Sequence, residues 1–61
     1  MAKVIWAGTE REVNCTEAEL AEVMAWDNVI MFGCWLGLVN DQGHAAGVEW
    51  AKEYDKILRE G

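Results

Sequence analysis

The longest apolar stretch of the chain runs from Val29 to Val39, eleven residues without a charged side chain or a side-chain amide. If this stretch forms a helix, with 3.6 residues per turn, the helix is apolar on every side. Such a helix must be buried on every side, and a 61-residue chain can hardly supply enough other residues to bury it. With a period of two residues, one face is uniformly large and apolar. That face consists of Ile30, Phe32, Cys34, Leu36 and Leu38. We therefore predict a strand.

Two segments before this stretch predict a β-hairpin. Lys3 to Ala7 is rich in β-branched and aromatic residues, with Val4 and Trp6 alternating against Ile5. Gly8 and Thr9 follow, and glycine favours a turn at this point. A second, more polar strand can return from Arg11 to Cys15, with Val13 and Cys15 facing inward. The hairpin therefore spans Lys3 to Cys15.

Two further segments have helical spacing. Thr16 followed by Glu19 is a capping-box pattern, which predicts a helix from Glu17 to Trp26. Its inward positions are Leu20, Val23 and Met24, with Ala21 and Ala25 beside them. After a loop at Asn40 to Gly43, a second helix is predicted from His44 to Glu60, because its apolar residues share one stripe. That stripe is Gly47, Trp50, Ala51, Tyr54, Ile57 and Leu58.

These elements predict one compact α+β domain over residues 1–61. Their order is strand, strand, helix, strand, helix, which gives a small β-sheet covered on one face by two helices. The alternative is an N-terminal hairpin followed by a helical bundle, in which Thr16 to Asn40 forms one long or broken helix. A chain this short buries only about 60% of its unfolded surface, so it depends on its large side chains. We expect Trp6, Trp35 and Trp50 in the core and Trp26 partly exposed.

The composition favours a cytoplasmic protein with reduced thiols. Two cysteines, Cys15 and Cys34, are too few for the disulfide framework of a short secreted domain. The sequence also shows no positively charged N-terminal region followed by an apolar segment, which is the pattern of a signal peptide. The apolar run from Val29 to Val39 is about half the length that a membrane span requires. We therefore expect no contact with a membrane.

Candidate catalytic residues are few. A nucleophilic set would need Cys34 in a cleft beside His44 and Asp41, but Cys34 falls on the most apolar face, where a thiol behaves as a small hydrophobe. A structural zinc site needs four ligands, which occur in closely spaced pairs along the chain. Cys15, Cys34 and His44 are only three residues and are widely spaced. His44 is better explained as a surface residue near a helix start. No nucleotide, metalloprotease or hydrolase motif occurs. We expect no enzyme activity, no metal and no cofactor.

The charges are strongly segregated along the chain. The chain has eleven acidic and five basic residues, which gives a net charge of −6. No lysine or arginine lies between Glu12 and Ala51. This balance argues against direct binding to nucleic acid or to an anionic membrane and favours a basic partner, although acidic surfaces also serve solubility. The candidate partner-binding residues are Glu12, Glu17, Glu19, Glu22, Asp27 and Asp41, together with Trp26.

The chain resembles a class of small phage-encoded inhibitors that includes anti-CRISPR proteins and other nucleic-acid mimics. The resemblance covers size and charge along the whole chain: 61 residues that start MAKVIW, are acidic through CTEAELAEVMAWDN, and contain no catalytic motif. It implies a stoichiometric inhibitor in the host cytoplasm. Such a protein would occupy the basic nucleic-acid channel of a host defence or transcription complex.

Two competing hypotheses remain open. The first is a structural or regulatory interaction module, with a homodimer as one form of it, whose working interface is the apolar surface of the predicted third strand. The residues of that surface are Val29, Met31, Trp35 and Val39. The second is a small redox or metal protein that uses Cys15, Cys34 and His44.

Overall fold

A computed structural model describes residues 1–61 and contains two strands and three helices. The elements in chain order are β1 (Ala2–Trp6), β2 (Thr9–Val13), α1 (Glu17–Met24), α2 (Val29–Gln42) and α3 (His44–Glu60). The α+β class is therefore confirmed. The architecture is a two-stranded antiparallel hairpin followed by three helices, which is the arrangement of the alternative interpretation.

The predicted hairpin is confirmed, with a turn one residue earlier than the sequence suggested. Ala7 and Gly8 form a two-residue loop with φ values of 53° and 77°, so Trp6 lies opposite Thr9. Positive φ at both loop positions is what a type I′ turn requires, and this turn matches the natural twist of a hairpin. Val4 and Val13 are buried on the inner face, whereas Ile5 is 73% exposed on the outer face.

The capping box at the start of α1 is confirmed. The Thr16 N–H donates to Glu19 Oε1 at 2.9 Å, and the Glu19 N–H donates to Thr16 Oγ1 at 3.1 Å. Leu20 is buried as expected, but the helix ends at Met24 rather than Trp26. Met24 is 57% exposed. Its predicted inward position is therefore wrong.

The third strand predicted for Val29 to Val39 is wrong, because these residues form most of α2. A helix satisfies its own backbone hydrogen bonds, so an apolar segment can be buried without a neighbouring strand to pair with. Asn28 begins the helix: its Oδ1 accepts the N–H groups of Ile30 and Met31, both at 3.1 Å. The sheet consequently has two strands, and α2 is the central element that the others cover.

The helix α2 also includes most of the loop predicted at Asn40 to Gly43. It continues through Gln42 and ends at Gly43, whose φ of 95° suits glycine alone. Asn40 faces the hairpin, where its Oδ1 accepts the Asn14 N–H at 2.8 Å and its Nδ2 donates to the Glu12 carbonyl at 3.0 Å. These two bonds join the end of β2 to the last turns of α2.

The helices α2 and α3 pack closely around Trp35, which is fully buried. Gly47 lies directly against the Trp35 ring, and a Cβ at that position would be 2.7 Å from Cδ1 of the tryptophan. The predicted helix from His44 to Glu60 is confirmed, and Gly47 and Ala51 form its buried stripe. Trp50, which was expected in the core, is instead 43% exposed and contacts Tyr54 edge-on.

Candidate protein-binding site

The acidic residues singled out from the sequence lie on four parts of the fold. Glu17, Glu19 and Glu22 share α1, whereas Glu12 lies on β2, Asp41 near the end of α2, and Asp27 between α1 and α2. Five of the six are exposed, and Glu19 is partly buried. The Asn40 bond to the Glu12 carbonyl places the backbones of residues 12 and 41 close together. Asp27 lies apart from them, beside the hairpin and the start of α2.

None of these six carboxylates forms an ion pair. The molecule has two ion pairs, and both use acidic residues outside the set: Lys3 with Glu10 at 3.9 Å, and Arg59 with Asp55 at 2.9 Å. The basic residues lie on the hairpin and on α3, so α1 and α2 carry no positive side chain. The negative charge of α1 and of the end of α2 is therefore uncompensated within the molecule.

Glu19 differs from the other five acidic residues because its carboxylate already accepts a hydrogen bond within the molecule. The hydrogen bond from the Thr16 backbone holds the pKa of Glu19 below its ordinary value, and His44 adds to this effect through its charge. A carboxylate that caps a helix loses that bond if it turns toward a partner. The exposed carboxylates of Glu17 and Glu22 are therefore better placed for an intermolecular contact.

Replacing Glu19 with glutamine is expected to lower the melting temperature at neutral pH but not at acidic pH. Glutamine keeps a side-chain oxygen for the Thr16 N–H and removes the charge. The folded-state pKa of Glu19 is depressed, so its charge contributes stability that is fully present above the ordinary glutamate value of about 4.3. That contribution is lost as the pH falls through the folded-state pKa.

The measurement is thermal unfolding by circular dichroism for the wild type and Glu19→Gln, at about pH 7 and about pH 3. Glu22→Gln, at an exposed carboxylate that accepts no hydrogen bond, controls for the loss of one charge. A difference for Glu19→Gln that is equally large at both pH values would contradict the assignment.

An apolar groove of about 430 Å³ was not predicted from the sequence. It lies between the hairpin, the end of α1 and the start of α2, and seven of its nine lining residues are hydrophobic. Ile5, Met24 and Val29 line it and are 73%, 57% and 68% exposed. Trp6 and Phe32 also line it, with ring centroids 5.2 Å apart and ring planes tilted by 43°. No local sequence signal indicated this groove, because its lining residues come from three separate elements.

The apolar interface expected around Val29 is wrong in its residues. Met31, Trp35 and Val39 are buried inside the molecule because the segment is a helix, and only Val29 remains exposed. Trp26 packs against the core and is partly buried, as expected. The apolar surface that is open to a partner is therefore the groove.

The cysteines and the histidine take part in the packing of the core. Burial, followed by the nearby Glu19 carboxylate, raises the pKa of the Cys15 thiol. His44 is not a free surface residue: its Nδ1 accepts the Trp35 Nε1–H at 3.1 Å, and the ring is partly buried. Cys34 is partly buried beside the core. No three of the His, Cys, Asp and Glu side chains are grouped so that they could hold a metal ion.

Comparison of the chain with protein-family models, with curated proteins and with solved structures finds no match. None of the three helices is long and apolar enough to cross a membrane.

Proposed function

We propose that this protein is a non-catalytic, protein-binding inhibitor that presents its acidic surface to a basic, nucleic-acid-binding surface of a partner complex. The observation that carries the proposal is that the six acidic residues from Glu12 to Asp41 form no ion pair, and that no lysine or arginine lies among them in the chain. In this role the protein acts in the cytoplasm of a host cell and is of phage origin, like the small inhibitors that it resembles in size and charge.

Unpaired acids on a small protein repel one another, and binding to a positively charged surface removes this repulsion. The surface of a nucleic-acid-binding channel is such a partner, because its lysines and arginines attract polyanions strongly and in a salt-dependent way. Glu17 and Glu22 project from α1, and Glu12 and Asp41 lie near each other at the junction of the hairpin and α2. Their carboxylates can replace phosphates in contacts with the partner's basic side chains.

A second candidate function is an interaction module that binds through apolar contacts. It is favoured by the groove, where Ile5, Met24 and Val29 are more than half exposed. Exposed apolar surface of this kind marks interaction sites in small proteins. Binding through the groove would resist salt, whereas binding through the acids would not.

Reversing two charges on α1 is expected to abolish capture of the partner. The tagged wild type and the double variant Glu17→Lys with Glu22→Lys are used to capture proteins from a host lysate, with washes from about 0.05 to about 0.5 M salt. The wild type should retain a nucleic-acid-handling protein at low salt and release it at high salt. The double variant should retain none of it at any salt concentration.

The matched control is Glu49→Lys with Glu53→Lys, which changes the net charge by the same amount on the exposed side of α3. It should capture the partner as the wild type does, which separates a local surface from overall charge. Competition between the partner's nucleic acid and the wild-type protein would support mimicry directly. Equal capture by the α1 variant and the wild type would reject the acidic surface, and salt-resistant capture would favour the groove.

A further inference from the structure

Two of the exposed apolar surfaces of this molecule differ in shape, one being concave and the other convex. The concave one is the groove beside Ile5, Met24 and Val29. The convex one is the last turn of α3, where Ile57 and Leu58 are 55% and 50% exposed. We refer to residues Lys56–Arg59 as the α3 ridge.

The α3 ridge is exposed because no helix lies beside the end of α3. Leu58 continues the stripe that Gly47 and Ala51 bury against α2, one or two turns further along. The two helices meet at Gly43, and at 1.5 Å per residue the 17 residues of α3 extend about 4 to 5 Å further than the 14 residues of α2. The stripe therefore passes beyond the first turn of α2 and stays uncovered.

The groove and the α3 ridge also carry opposite charges that are free to pair. Asp27 is the ionisable residue that lines the groove, and it has no ion-pair partner. On the α3 ridge, Arg59 already pairs with Asp55 at 2.9 Å, but Lys56 is exposed and forms no ion pair. Each surface thus offers an apolar centre and one unpaired charge, negative on the groove and positive on the ridge.

Both surfaces lie at the same end of the molecule. The helices α2 and α3 are joined by Gly43 alone and pack along each other, so they run antiparallel. The last turn of α3 therefore extends just beyond the first turn of α2, which contributes Val29 and Phe32 to the groove. Contacts about a twofold axis are reciprocal, so a groove and a ridge on one chain would each be used once in a dimer of two copies.

We propose that two copies of this chain form a twofold dimer in which the α3 ridge of each copy fills the groove of the other. Ile57 and Leu58 occupy the apolar centre, and Lys56 lies beside Asp27 of the partner subunit. Interfaces of standard size bury about 800 Å² per partner, roughly a fifth of the 4225 Å² of surface on this chain. The dimer goes beyond the proposed inhibitory function. Of the six unpaired acids it uses Asp27 alone, and the groove is lined by no acid of α1 or of the end of α2.

Sedimentation equilibrium of the full chain, from about 1 to about 200 μM, should show a reversible shift from the monomer mass of 6.9 kDa to twice that mass. Asp27→Lys and Lys56→Glu should each weaken dimerisation about tenfold or more, since each places like charges at both contacts. An equimolar mixture of the two variants should dimerise again. In the mixed dimer one contact joins the two substituted residues and the other joins the unchanged Asp27 and Lys56, so both contacts join opposite charges.

Lys52→Glu is the control, because it makes the same change of charge on α3 outside the ridge and should dimerise as the wild type does. Asp27→Asn tests the same contact without charge reversal, and asparagine tolerates the positive φ of 50° at this position. A wild type that stays monomeric over the whole range would overturn the proposal. A dimer that Lys56→Glu leaves unchanged, or a mixture of the two variants that stays monomeric, would overturn it equally.

Discussion

Replacing Trp35 with alanine is expected to remove a large share of the stability of the fold. The Trp35 side chain is fully buried, lies 5.4 Å from the Phe32 ring between centroids, and donates its Nε1–H to His44. Removing a buried tryptophan costs about 3–5 kcal/mol. A domain of 61 residues has a total stability of about 3–9 kcal/mol, so the loss takes between about a third and all of it.

Urea titration followed by circular dichroism measures this loss, and Trp50→Ala is the matched control. Trp50 is 43% exposed and makes an edge contact with Tyr54 at 5.9 Å, so the same substitution there should cost only about 1 kcal/mol. Trp35→Phe should lie between the two, because it keeps an aromatic ring and leaves the His44 acceptor without its donor. Equal losses at Trp35 and Trp50 would contradict the placement of α2 and α3.

The parts of the fold that follow from local chemistry were predictable from the sequence. The hairpin has alternating residues and a glycine in its turn, and the start of α1 has a threonine and a glutamate at capping-box spacing. Each of these signals acts within a few residues and needs no knowledge of distant contacts. They gave the α+β class, both strands and the positions of α1 and α3.

The central helix was not predictable from hydrophobic periodicity, because its residues are apolar on every side. A strand and a helix then have the same pattern, and the decision depends on what packs around the segment. The structure covers α2 with α3 around Trp35 and with the hairpin at Gly33, where the Trp6 ring lies 3.5 Å from a Cβ position. The local signal that favoured a helix was Asn28, whose side chain caps it.

The candidate site was predictable only in part. The exposure of Glu17 and Glu22 follows from their positions on a helix whose other side carries Leu20 and Val23. The hydrogen bond of the Glu19 carboxylate was predictable from the capping-box spacing. The groove was not predictable, because it depends on where the end of α1 meets the hairpin. Met24 shows the difference: its helical spacing indicates burial, yet the helix ends there and leaves it 57% exposed.

Gly47→Ala is expected to destabilise the protein by about 1–3 kcal/mol, although alanine favours a helix over glycine by about 1 kcal/mol. A Cβ at Gly47 would lie 2.7 Å from Trp35 Cδ1 and 3.1 Å from the Trp35 carbonyl oxygen. The ring is held by its bond to His44, and the carbonyl belongs to the backbone of α2, so neither can move without shifting a helix. The free energy of unfolding from urea titration measures the cost.

Gly37→Ala is the control within the same helix pair, because a Cβ at Gly37 meets no atom within 4 Å. That substitution should stabilise the protein by about 0.5–1 kcal/mol through helix propensity alone. The same chemical change in two neighbouring helices is thus expected to have opposite signs. If both variants were stabilised equally, α3 could not lie against Trp35 at Gly47, and the packing that exposes the groove and the end of α3 would be wrong as well.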